Sequence, residues 1–245
     1  MGWLLVALVI AAALTNAWWR LRRGPSRQRR LMMLCDRAGL MFEPLDLQPD
    51  TAWLPFPMFG AARHGIENVV WDRNEGHDVR AFDFWYQDES DERPLGDRRH
   101  LTCAVVPLRS SCPRLRVTPR DVDSDLDAFG REVHLELDAF ERRFRIQTDD
   151  PRFAVAFLDQ RLMEAFLALP KGMSAEVGED TLLLRAPRLP AEQVLVLLDT
   201  AIEMRRRIPR VVSSLFPPRP VRGEHEDRWM QGHWSPDPTG RARLS

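Results

Sequence analysis

From Trp3 to Trp19 the chain runs WLLVALVIAAALTNAWW, seventeen residues without a charge, and no other feature constrains the fold as tightly. At about 1.5 Å of rise per residue a helix over this run is roughly 25 Å long, close to the lower limit for crossing a hydrocarbon core of about 30 Å. Trp3 at one end and Trp18 with Trp19 at the other stand where interfacial aromatics belong. The next eleven residues, RLRRGPSRQRR, hold six Arg and no acid. A secretory signal carries its positive charge before the apolar run, not after it, so the pattern points to an uncleaved anchor. The positive-inside rule then keeps the collar in the cytoplasm. The expectation is a single-pass plasma-membrane protein, with the amino terminus outside and the main domain cytoplasmic. Residues 3-19 are expected to meet the lipid bilayer, and the Arg20 to Arg30 collar the anionic headgroups, at about 1 kcal/mol per Arg.

The whole chain has 245 residues and a formal net charge of -1, but its charge is unevenly placed. Residues 31–216 carry 24 basic and 32 acidic groups, so the body is acidic behind a basic collar. An acidic body repels a phosphate backbone, which argues against nucleic acid as a partner. Cys35, Cys103 and Cys112 lack the close pairing of a zinc site or a disulfide framework, and read as reduced thiols. Lysine occurs once, at Lys171, outside any phosphate-loop context. The expected domains are 1-30 (anchor and collar), 31-216 (an α+β domain) and 217-245 (a disordered tail with Trp229 and Trp234).

Within the body, Ser26 is placed to cap a helix through RQRRLMMLCDRA and Gly39 to end it. Four prolines between 43 and 60 break regular structure, although WLPFPMFG is apolar enough to pack on the core or on a membrane surface. Strand patterns follow at 66–72 and 78–88, joined by a turn at Gly76, then at 100–108, 115–119, 133–137 and 143–147. They predict an antiparallel sheet with one buried face. A helix is predicted from Pro151 to Pro170, two short strands flank Gly178, and a last helix runs from Pro190 to Arg207. The fold class is therefore α+β, one amino-terminal transmembrane helix followed by a mostly antiparallel sheet packed with two or three helices.

The common hydrolase, P-loop, zincin and dinucleotide motifs are absent. His100 and Cys103 fall on opposite faces of one strand and cannot pair there. His225 and His233, near Glu224, Glu226 and Asp227, belong to a tail without a scaffold. Asp121, Asp123, Asp125 and Asp127 alternate like a calcium loop, but Leu126 stands where the loop needs Gly, even though Glu132 is in place. In AFDFWYQD, Asp83 and Trp85 share one face while Phe82, Phe84 and Tyr86 share the other, and Asp83 is expected to pair with an Arg such as Arg80 or Arg145. No catalytic, cofactor or metal residue is assigned.

The segment VHLELDAFERRFRIQTDDPRFAVAFLDQRLMEAFL (133–167), with its LE-x-x-x-FE-x-x-F core, resembles a bacterial domain of unknown function found in membrane-tethered proteins. VVWDRNEGHDVRAFDFWY with LTCAVV is similar to two central strands of the same family. The layout as a whole resembles short actinobacterial single-pass membrane proteins. The resemblance covers about residues 60–185 and brings no catalytic residue with it. The functional expectation is a membrane-anchored, non-enzymatic module that binds a protein partner or the membrane surface. The alternative is a membrane-associated enzyme acting on a lipid-linked or envelope precursor through carboxylates such as Asp83 or Glu136.

Overall fold

A computed structural model describes residues 26–45, 54–61, 63–76, 78–87, 98–122 and 129–218. The first helix, α1 (Arg27–Ala38), starts and stops as its sequence dictates. The Ser26 hydroxyl accepts from the Arg29 amide, and Gly39 takes the left-handed conformation (φ 71°) that ends a helix at no steric cost. Then come β1 (Met41–Leu45), a 3₁₀ turn (Pro57–Gly60), β2 (His64–Trp71), β3 (Arg80–Tyr86) and β4 (Arg99–Pro119). The second half holds β5 (Arg131–Glu132), α2 (Asp138–Arg143), β6 (Phe144–Thr148), α3 (Pro151–Phe157), α4 (Gln160–Leu167), β7 (Ser174–Pro187), α5 (Ala191–Arg207) and α6 (Arg210–Leu215).

Every strand pairing is antiparallel, and β4 is the spine. On one side β4 pairs first with β3 and then, past its middle, with β6; on the other it pairs with β7 along most of its length. The two strands expected at 100–108 and 115–119 are thus one continuous strand. Its register against β7 shifts between Pro107 and Leu115, where two prolines remove ladder donors, so the chain bends there without leaving the sheet. The two short strands expected around Gly178 are likewise one, β7, which turns at Glu179 (φ 51°).

The sheet is buried on both faces, where one had been expected. One face carries Ala104, Val106, Leu115, Val117, Val177 and Leu184 against Leu31 and Cys35 of α1 and the apolar sides of α3, α4 and α5. Phe140, Phe144 and Phe166 close this core, with ring centroids 5.0 to 6.0 Å apart. The opposite face carries Ile66, Val69, Phe82, Phe84, Cys103 and Val105, and is covered by Leu54, Phe56 and Phe59. The apolar loop therefore packs on the core. Phe59 alone, 2% exposed, contributes roughly 1.5–3 kcal/mol by leaving water, enough to hold a segment that has little regular structure of its own.

Three further differences have local causes. VHLEL (133–137) is not a strand, the only strand nearby being β5 at Arg131–Glu132, and the Glu141 carboxylate reaches back to accept from the Leu135 amide; Val133, Leu135 and Leu137 still face the core. The helix expected to run to Pro170 is two helices, since Leu158 leaves helical geometry and Asp159 caps α4 through the Leu162 amide at 2.8 Å. Helix α6, beyond Pro209, was not anticipated.

The expected transmembrane helix must also be corrected. Among the described residues no helix is long and apolar enough to cross a membrane, and residues 3-19 lie outside them. The fold class is restated as an antiparallel sheet packed with several helices, and the single-pass plasma-membrane topology is not carried forward. The collar changes too: Arg27, Arg29 and Arg30, assigned to lipid headgroups, are residues of α1, and Arg27 is drawn into the body.

Candidate functional site

Two buried polar clusters stand out, one on each face of the sheet. The first centres on Asp83 of β3, 2% exposed. Between Glu67 and Val70 the ladder of β2 with β3 shifts register, and Asn68 takes a positive φ of 56°. Its amide then donates to the Asp83 carboxylate at 2.9 Å. Thr102, opposite Asp83 on β4, donates at 3.0 Å. Arg27 of α1 closes the cluster as a fork, with Nη1 and Nη2 both on the carboxylate. Arg27 also donates to the Leu189 carbonyl at 2.7 and 3.1 Å, while the Leu189 amide donates to Thr102 Oγ1 at 3.0 Å. Burial pulls the Arg27 guanidinium below its ordinary value, and Asp83 works against that.

A carboxylate offers about four acceptor positions, and Asp83 has four donors on it. It has no lone pair left for acid–base work. Glu136, the other carboxylate of the enzymatic alternative, is exposed in the irregular segment before α2. Asp83 is buried with its donors under α1 whereas Glu136 is exposed, and among the described residues no hydrogen bond joins the two.

The second cluster lies where the carboxy-terminal part of β4 meets the start of β7. Arg116 and Glu176 are directly opposed in that ladder. Glu176, 1% exposed, accepts from Arg114 Nε at 2.8 Å and from Arg116 Nε and Nη2 at 3.2 and 3.4 Å. The Phe129 ring lies over both guanidinia, 4.0 and 4.7 Å from its centroid. Ser174, two residues before Glu176 on the same face of β7, accepts from Arg185 Nε at 2.8 Å. Arg185 is 5% exposed, and its Nη1 meets the Met58 thioether at 3.6 Å. Burial pulls the Arg185 guanidinium down, Glu176 opposes the fall, and Arg116 adds to it.

The other sequence candidates stay apart. His100 opposes Trp85 and Cys103 opposes Phe82 on the other face, as their spacing requires. Burial pushes the Cys103 thiol up to about 12, which removes it as a nucleophile at neutral pH. Asp121 is exposed, whereas Asp123, Asp125 and Asp127 fall outside the described residues, as do His225, His233, Trp229 and Trp234. Among the described residues no group of three His, Cys, Asp or Glu is placed to hold a metal. Asp83 pairs with Arg27 rather than with Arg80 or Arg145, because α1 folds back over β3. Sequence reading missed Arg114, Arg116, Glu176 and Arg185. The signal was their alternation with Leu115, Val117, Ala175 and Val177, which reads as a solvent face when the opposite side of the sheet is taken to be open.

Together these features describe a two-faced antiparallel α+β domain whose buried carboxylates are occupied by arginines. No protein-family model and no curated protein sequence matches the chain. Among solved structures, the crystal structure of the mycobacterial trehalose monomycolate transport factor A, TtfA, is similar to it. The TM-score is 0.53 and the identity 13%, over 81% of this chain and 99% of that one. At that identity the likeness is one of fold alone. The expected kinship with single-pass proteins carrying a membrane-tethered domain of unknown function is corrected accordingly: the likeness found is to TtfA, and no family model supports the other.

Proposed function

We propose that the protein is a non-catalytic accessory factor that acts by binding a protein partner in the handling of an envelope glycolipid. The observation that carries this reading is the likeness of fold over 99% of a protein described as a transport factor for trehalose monomycolate. The state of the buried carboxylates supports it: Asp83 and Glu176 are each engaged by several donors, as in a framework rather than a reaction centre. Contact with the bilayer through residues 3-19 and the collar forms no part of this reading.

Cross-linking of the tagged full chain in living cells, followed by mass spectrometry, tests it. Recovery of a glycolipid-transport component, together with a changed distribution of trehalose monomycolate in a deletion strain, is expected. Turnover of the glycolipid by the purified protein would overturn it, as would an unchanged distribution in the deletion strain.

A further inference from the structure

Arg185 is a buried cation, 5% exposed. Its described partners are a serine hydroxyl and a thioether, and it makes no ion pair among the described residues. Buried charges are ordinarily paired. The neighbouring Glu176 carboxylate acts on Arg185 only through its charge, because its hydrogen bonds go to Arg114 and Arg116. Arg114 Nη2 is also buried without a hydrogen-bond partner.

We propose that this cluster between β4 and β7 binds a compact oxyanion of the phosphate class, held by Arg185 with Ser174 beside it. A guanidinium presents parallel N–H donors that match two oxygens of a phosphate, which a point charge does not. The Ser174 hydroxyl accepts from Arg185 Nε and keeps its own proton to donate. Met58 closes the site with a weak acceptor on a flexible side chain, which an oxyanion readily displaces from Arg185 Nη1. Burial lowers Arg185 by more than Glu176 offsets, and a bound anion would raise it.

Calorimetric titration of the full chain with inorganic phosphate, at ionic strength held constant with sodium chloride, tests the site. One saturable equivalent and a matching rise in melting temperature are expected. Arg185→Met should abolish both. Arg185→Lys, which keeps the charge but loses the fork, should weaken binding by about tenfold or more. Circular dichroism and thermal unfolding of both variants show whether the fold is kept, so that lost binding is read only from a folded chain. In a parallel arm, glycerol 3-phosphate binding as well as phosphate would assign the site to a phosphoryl group on a larger molecule. Binding of phosphate alone would assign it to the free ion. The absence of a saturable phosphate response in the wild-type chain would overturn the proposal, as would undiminished binding by Arg185→Met.

Discussion

Arg27 and Asp83 differ in how much water they keep, and that difference decides which of them is harder to remove. The Arg27 side chain is 20% exposed and that of Asp83 3%. Arg27→Met strands a buried carboxylate and should destabilise the fold by about 3–5 kcal/mol. Asp83→Asn leaves an arginine that can turn toward solvent, so it should cost less, and adding it to Arg27→Met should restore part of the loss. Urea unfolding of the two single variants and the double variant measures this; equal single costs that simply add would show that the pair is not coupled. The thiols give a second prediction. Burial pushes Cys35 up to about 11 and Cys103 and Cys112 up to about 12. The folded state therefore holds these protons more tightly than the unfolded chain, whose thiols titrate near 8.5. Their contribution is complete below about pH 8.5 and is lost as pH rises toward 11 and 12. At pH 8 a thiol reagent should label none of the three in the native protein and all three in urea. Asp83 was legible in the sequence as a polar group that needs an arginine. Which arginine was not, since Arg27 lies 56 positions away and its neighbours all read as a collar.

Caps and bends govern the elements. Asp159 restarts the helix after Leu158, so Asp159→Ala should cost about 1 kcal/mol and fray α4. Amide hydrogen exchange at Leu162 and Met163 should then quicken while α3 is unchanged. The cover over the second sheet face is more exacting. Phe59 packs edge-on against Phe84, centroids 4.8 Å apart, and Phe59→Ala should destabilise by about 3–5 kcal/mol in thermal or urea unfolding. Little effect there would mean the segment is not part of the core. Element types were readable where periodicity is strong, as in α1, α5 and the β2–β3 hairpin. They were misread where one side chain overrules the pattern: Asp159 splits a helix, Glu141 draws Leu135 out of a strand, and at Pro107 the chain bends within a strand that was expected to end at Leu108.

Over the whole molecule, the antiparallel α+β architecture was present in the order of the elements, whereas its second buried face was not. A strand seen alone reports alternation; it does not report what covers its polar side, and so the Glu176 cluster passed for a solvent surface. Under the proposed function the protein acts by binding, with its carboxylates serving the framework. The most direct test replaces the chromosomal copy with a chain carrying Asp83→Asn and Glu136→Gln, matched in abundance to the wild type, and measures the distribution of trehalose monomycolate. The wild-type distribution is expected. Reversion to the deletion phenotype at full abundance, with the variant still folded, would contradict it and assign those carboxylates to chemistry.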